Sequence, residues 1–244
     1  MPPPGYDALN RVVREIDPLG LSRSYSYDPN GNLLSRTDRT GRGVSYAYDP
    51  LDRRTTETWQ GAGGRTISTT YNAANLVLTA SDPDAAFTYQ YDKLGRPTQL
   101  STTIANSPVP TVVQTATYLA DGLRQTLTAA VGGSADFRDT YQYDRLSRLT
   151  DLRQDAQPGS SNVAAKHLTL GYNGVDQLAS VQRSGGPTGS TLVAGTTFSY
   201  DPGDRLAALT HSPAVGSPLG YTFGYDADDR LTAQPLPGGE SRTG

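Results

Sequence analysis

A short motif headed by tyrosine recurs ten times along this chain of 244 residues, at Tyr6, Tyr27, Tyr48, Tyr71, Tyr91, Tyr118, Tyr143, Tyr172, Tyr200 and Tyr225. Successive copies lie 20 to 29 residues apart. Segments 27–38 (YDPNGNLLSRTD), 91–102 (YDKLGRPTQLST) and 143–154 (YDRLSRLTDLRQ) show it plainly. Such an array folds by stacking units that cannot bury their apolar sides alone. The repeat therefore constrains the fold more than any single residue does.

Counting from each repeat tyrosine gives the motif a physical meaning. The next residue is Asp in seven copies, Asn in two and Leu119 in one. Four residues on stand Asn10, Gly31, Asp52, Asn75, Gly95, Gly122, Ser147, Asp176, Asp204 and Asp229, all turn formers. Gly, Asn and Asp best tolerate a left-handed backbone. Arg follows in six copies, and the position after that is aliphatic in seven. This spacing predicts a β-hairpin with a three-residue loop, a type I turn followed by a left-handed residue. Asp then faces Arg, and the tyrosine faces the aliphatic residue. Alternation places Tyr and Leu on one face and Asp and Arg on the other.

The remaining aromatics test this register. Tyr25, Tyr46, Tyr89, Tyr141, Phe198 and Phe223 precede a repeat tyrosine by two residues, Phe87 and Tyr221 by four, and Phe137 by six. All are at even offsets, on the tyrosine face of an unbroken strand. Trp59 alone is off register, which makes it the candidate contact for a ligand.

Ten hairpins predict about twenty strands, an all-β sheet about 95 Å wide at the usual strand spacing. A sheet of that width twists or curls rather than staying flat. The expected fold is a long curved antiparallel sheet of about ten tandem hairpins, wound as a spiral or partial hollow shell. No segment carries a helical stripe. Repeat phasing continues through the Pro/Gly/Ser-rich segments Ala105–Val113, Gln157–Asn162 and Ser184–Ser190, expected as loops on the rim opposite the tyrosine turns. Residues 1–244 thus read as a single array.

Composition excludes other classes. Hydrophobic residues make up 35% of the chain and charged ones 18%, so neither a thick two-sided core nor a charge-rich disordered chain is expected. No apolar run approaches the roughly 20 residues of a membrane-spanning helix. The opening residues show neither the basic nor the apolar region of a signal peptide. Cysteine is absent, and net charge is −3, against a nucleic-acid binder that works by phosphate neutralisation.

The unit Tyr-Asp-x-x-Gly-Arg-Leu, preceded by Tyr or Phe two residues earlier, resembles the YD repeat of the Rhs family, most closely at 25–38 and 89–102. The resemblance covers roughly 6 to 236. Proteins with such repeats include bacterial Rhs polymorphic toxins, shell components of insecticidal Tc toxins, and animal teneurins. It implies a secreted or cell-surface β-shell that encloses a C-terminal toxin domain in the bacterial members. In some relatives it is associated with carbohydrate binding. The array starts in phase after four residues and runs to Gly239–Gly244 without a distinct terminal domain, as expected of a segment of a larger shell.

Candidate chemistry is sparse. Asp17-Pro18-Leu19-Gly20-Leu21 fits the Asp-Pro-x-Gly-Leu self-cleavage motif of many Rhs proteins, but its place between the first two hairpins favours an ordinary turn. Asp28-x-Asn30-x-Asn32 begins like a calcium loop, yet Leu33 replaces the required Gly and Arg39 the distal Glu. His167 and His211 lie in different repeats, and Asp228 and Asp229 fall in one turn. No catalytic, cofactor-binding or metal residues are assigned, and no cofactor is expected. The residues assigned to the structural repeat are Tyr27, Asp28, Gly31, Tyr48, Asp49, Arg53, Tyr91, Asp92, Gly95, Arg96, Tyr143, Asp144, Arg148, Tyr200, Asp201, Arg205, Tyr225, Asp226 and Arg230. The expected role is structural and non-enzymatic. Its partners are the rest of a shell and an enclosed toxin domain, with a glycan-binding or adhesion module as the alternative, and neither nucleic acid nor a membrane span is implied.

Overall fold

A computed structural model describes residues 4–61, 63–158, 163–186, 189–235 and 241–242. Parts of the expected rim loops at 157–162 and 184–190, and most of 239–244, lie outside the described residues. The chain divides into two compact units, Met1–Val113 and Gln114–Gly244. Every element among the described residues is a β-strand, and none is a helix able to cross a membrane.

The first unit contains β1 (Gly5–Tyr6), β2 (Val12–Ile16), β3 (Ser22–Tyr27), β4 (Leu33–Thr37), β5 (Gly43–Tyr48), β6 (Arg54–Trp59), β7 (Thr66–Tyr71), β8 (Val77–Ser81), β9 (Ala85–Tyr91) and β10 (Pro97–Ile104). Each pairs antiparallel with the next. Strand β11 (Val112–Tyr118) straddles the division. The second unit continues with β12 (Arg124–Val131), β13 (Ser134–Tyr143), β14 (Leu149–Ala156), β15 (Lys166–Tyr172), β16 (Leu178–Gly185), β17 (Thr191–Tyr200), β18 (Leu206–Pro213) and β19 (Leu219–Thr222). From β12 onward these also form an antiparallel meander. The short strands β20 (Gly224–Tyr225), β21 (Leu231–Pro235) and β22 (Ser241–Arg242) form a separate three-stranded sheet. The all-β, hairpin-by-hairpin fold is the one the repeat predicted.

All ten tyrosine turns have the expected form. The N–H of Asp28 donates to the Asn32 carbonyl at 3.0 Å and that of Gly31 to the Asp28 carbonyl at 3.1 Å; the other nine repeat this pair of bonds. The fourth residue has a φ between +59° and +95° in every copy, including the non-glycines Ser147 (+63°) and Asp204 (+62°). Asp17–Leu21 and Asp38–Arg42 make the same turn on the opposite rim. The Asp-Pro-Leu-Gly segment is thus part of a regular hairpin connection.

The tyrosine pairs with the residue six positions on, as Tyr27 with Leu33 and Tyr200 with Leu206. Immediately beyond that rung the register slips by one residue. Ser26 faces Ser35 rather than Leu34, and the same shift follows Tyr48, Tyr71, Tyr143, Tyr172 and Tyr200. A β-bulge of this kind inserts one unpaired residue. On the return strand it inverts the parity of every later position.

That inversion corrects the expectation for Trp59. Eleven residues after Tyr48, it would lie opposite the tyrosine face in an unbroken strand. Beyond the bulge it pairs with Val44, which is four residues before Tyr48 and on the tyrosine face. Trp59 is therefore in register.

The buried residues are small: Val44, Ala116, Ala129, Val181 and Ala194, with Thr126 and Thr196. No large side chain is fully buried among the described residues. A low hydrophobic content suits a sheet that buries little but its own small side chains.

Candidate functional site

The repeat residues converge on the seams between hairpins. Between β2 and β3 the ladder runs from Ile16–Ser22 to Arg14–Ser24 and stops there. The carbonyl of Val12, nearer the rim, lies beyond it. The Tyr27 hydroxyl donates to that carbonyl at 3.0 Å. The bond recurs from Tyr48 to Leu33 (3.0 Å), Tyr71 to Arg54 (2.9 Å), Tyr91 to Val77 (2.7 Å), Tyr143 to Arg124 (3.0 Å), Tyr172 to Leu149 (2.9 Å), Tyr200 to Leu178 (2.9 Å) and Tyr225 to Leu206 (3.1 Å). The acceptor is always the residue six after the preceding repeat tyrosine. Tyrosine is suited to this position because its ring covers the seam and its hydroxyl satisfies a backbone group left by the ladder. Desolvation raises the pKa of Tyr48 and Tyr143, which keeps these hydroxyls protonated as donors.

The arginine acts on two hairpins at once. Arg53 donates from Nε to Asp49 Oδ2 at 2.7 Å, closing its own turn. From Nη1 it donates to the Asn72 carbonyl and to Asn75 Oδ1 in the next turn, both at 2.8 Å. Its Cζ lies 4.8 Å from the centroid of the Tyr71 ring. Arg148 likewise joins Asp144 (2.7 Å) to Asp176 (2.5 Å) and stacks on Tyr172 at 4.5 Å. Arg205 joins Asp201 (2.8 Å) to Asp229 (2.6 Å) and stacks on Tyr225 at 4.7 Å. The rigid guanidinium fork fits this task. The strict separation of Tyr and Arg onto opposite faces, expected from alternation, does not hold at the rim, where both lean into the seam.

The fourth position has a second duty for the same reason. Asp52 accepts from Asn32 (2.7 Å), and Asp204 from Gln177 (3.2 Å). In five seams a polar side chain five after one tyrosine meets Asp or Asn four after the next; Arg11 and Arg96 are followed instead by Gly31 and Gly122, and the apolar Leu76 and Leu123 by Gly95 and Ser147. This covariation within the repeat was a readable signal of seam contact that a hairpin-by-hairpin reading passes over.

Asp28, Asp92 and Asp226 close their turns as the other repeat aspartates do. Asp28 accepts from the Asn32 amide side chain (2.9 Å), Asp92 from Arg96 Nε (2.6 Å), and Asp226 from the Arg230 N–H (2.9 Å). The pKa values of Asp49, Asp144 and Asp201 fall below the usual carboxylate range, first because of the arginine side-chain hydrogen bond and then because of turn N–H groups, against some desolvation. His167 Nε2 lies 2.5 Å from Asp151 Oδ2, while His211 Nδ1 contacts Thr196 Oγ1 at 3.1 Å in another part of the second unit. Asp228 pairs with Arg230 and Asp229 with Arg205. Asn30 and Asn32 both donate to Asp52 rather than converging with Asp28 on one point. Trp59 donates from Nε1 to Glu57 Oε1 at 2.8 Å, and Arg36 lies 5.7 Å from its ring centroid.

Residues 6–42 and 27–58 match the family model described as RHS Repeat. Residues 6–58 carry RHS repeats. Among solved structures, these repeats are similar in fold to the crystal structure of TcdB2-TccC3-TEV, at 16% identity and a TM-score of 0.57. The match covers 88% of this chain and 13% of that one, so the chain spans about an eighth of its length. TcdB2-TccC3 without its hypervariable C-terminal region matches at 14% identity, covering 93% and 16% of the two chains with a TM-score of 0.47. A porin-like protein from Bacteroides uniformis ATCC 8492 matches at 12% identity, covering 91% and 86% with a TM-score of 0.35. No curated protein matches the chain. Within each unit the repeats form a structural segment, its hairpins docked one on the next through these seam contacts.

Proposed function

We propose that residues 1–244 are a single array within a larger RHS-repeat shell, and that the complete shell encloses a toxin domain. In this reading the protein is secreted or displayed at the cell surface and its repeat segment is non-enzymatic. The observation that carries the proposal is the recurring seam. Across eight seams one hairpin offers the next tyrosine a carbonyl, and at four of them Arg11, Arg53, Arg148 or Arg205 also stacks on that tyrosine, so similar contacts extend an array by one unit at a time. The fold likeness to a much longer chain supports membership of a larger assembly. The exposed sheet supports it too, since an unpartnered sheet of this extent ordinarily has something to cover or enclose.

The test is cryo-electron microscopy with limited proteolysis of the longest natural chain containing these repeats. A sheet-walled lumen holding a protease-resistant C-terminal domain is the expected result. A solid particle, or a C-terminal domain cleaved as fast as a free one, overturns the reading.

A further inference from the structure

We propose that a groove on the tyrosine face of β3–β6 binds an acidic polypeptide segment, one of whose carboxylates is held between Arg23 and Arg36. The groove lies within the first unit and does not depend on what the larger shell encloses. One row of paired residues crosses it, Tyr25–Arg36–Val44–Trp59. Val44 is its floor, with 4% of its surface exposed, and Trp59 is a wall with 41% exposed. Arg23, Asp38 and Arg42 also line it.

The arginines that lack a carboxylate partner define the occupant; Arg23 touches the Tyr25 hydroxyl and Arg36 the Trp59 ring. Seven of the ten arginines in the first unit form ion pairs with carboxylates. Among the described residues Arg23 and Arg36 form none, and both line this groove. Of the acids nearby, Asp38 is held by Arg42 at 2.9 Å and Glu57 by Arg54 at 2.8 Å, while Glu15 stands across the ladder from Arg23. The Tyr25 hydroxyl donates to Glu15 at 2.9 Å, and the Trp59 N–H to Glu57 at 2.8 Å. Two guanidinium groups therefore remain over an apolar floor, a setting that favours bidentate binding of a carboxylate.

Shape narrows the class further. A sugar ring would need an open aromatic face, but Arg36 lies over Trp59 at 5.7 Å. The groove volume, about 340 Å³, is near the lower end for ligand pockets, about 300–1,000 Å³. That space suits one acidic side chain with an apolar neighbour against Val44 and Trp59.

The test titrates the whole chain with a fluorescein-labelled hexapeptide of alternating Glu and Leu, using a Gln–Leu hexapeptide as control. Binding of the Glu–Leu peptide alone is expected, with a change in Trp59 emission. The double variant Arg23→Gln/Arg36→Gln should weaken binding about tenfold or more, as loss of charge-assisted hydrogen bonds implies. Arg36→Lys should fall between, and Arg145→Gln in the second unit should bind as the parent does. A cooperative thermal transition well above the assay temperature shows that the variants remain folded; if the double variant unfolds below it, Arg36→Lys decides. Equal binding of the two peptides, or parental binding by the double variant, overturns the proposal. So does binding of an oligouronate where the peptide fails to bind.

Discussion

The hydroxyl of Tyr200 donates to the carbonyl of Leu178 at 2.9 Å, across a seam where the backbone ladder has ended one rung earlier, at Ser180–Thr197. A half-buried carbonyl in that position has few other partners. Tyr200→Phe keeps the ring and removes only the donor, so it isolates the seam bond. The expected loss is about 0.5–1.5 kcal/mol, read as a lower urea midpoint with an unchanged slope. Tyr200→Leu should lose more, because it also removes the ring beneath the seam.

The left-handed fourth position gives a prediction that depends on the neighbouring hairpin. Ser147 has a φ of +63°, and the corresponding residue before its seam is Leu123, which offers no polar side chain. Ser147→Gly relieves strain without losing a seam bond and should gain up to about 1 kcal/mol. Asp176, at +67°, accepts from Arg148 at 2.5 Å. Asp176→Gly relieves similar strain but forfeits that contact, so its gain should be smaller or reversed. Thermal unfolding of the two variants side by side checks the ordering.

The hairpins were legible in the sequence because turn chemistry is local. Asp28, Gly31 and Leu33 state a three-residue loop and its register within six residues. Seam contacts were harder to read, because Arg53 and Asn75 are 22 residues apart and only comparison across repeats links them. The bulge left no residue signature at all. Leu34, Thr55 and Ala179 occupy it in three different hairpins and share neither size nor polarity, so an alternating pattern was carried past it and Trp59 was assigned to the wrong face. Backbone geometry, set by the turn and the sheet twist, decided that face.

The turn carboxylates predict acid sensitivity. Asp49, Asp144 and Asp201 have folded-state pKa values below their ordinary value, first through the arginine hydrogen bond. A depressed carboxylate contributes its full stability above the unfolded pKa, about 3.9, and loses it as pH falls through the lower folded value. The urea midpoint should therefore change little from these groups between pH 7 and about 5, and should fall below about pH 4. Asp144→Asn should be less stable than the parent at pH 6, with the gap narrowing by pH 2.5 to 3. A gap that stays constant across that range would show that Asp144 does not titrate with folding.

Trp59 reports on the bulge directly. It is the only tryptophan in the chain, and Arg36 lies over its ring at 5.7 Å because the slip after Tyr48 puts both on the tyrosine face. An exposed cation–π contact of this kind contributes about 0.5–1 kcal/mol. Arg36→Gln should cost about that much, shift Trp59 emission to the red and steepen its quenching by acrylamide. Arg14→Gln is the matched control: Arg14 pairs with Ser24 on the other face and should leave Trp59 emission unchanged. If alternation ran unbroken through β6, Trp59 would sit on the face opposite Arg36, and Arg36→Gln would leave its emission as unchanged as Arg14→Gln does. The fluorescence of one residue thus decides between a bulged and a regular return strand.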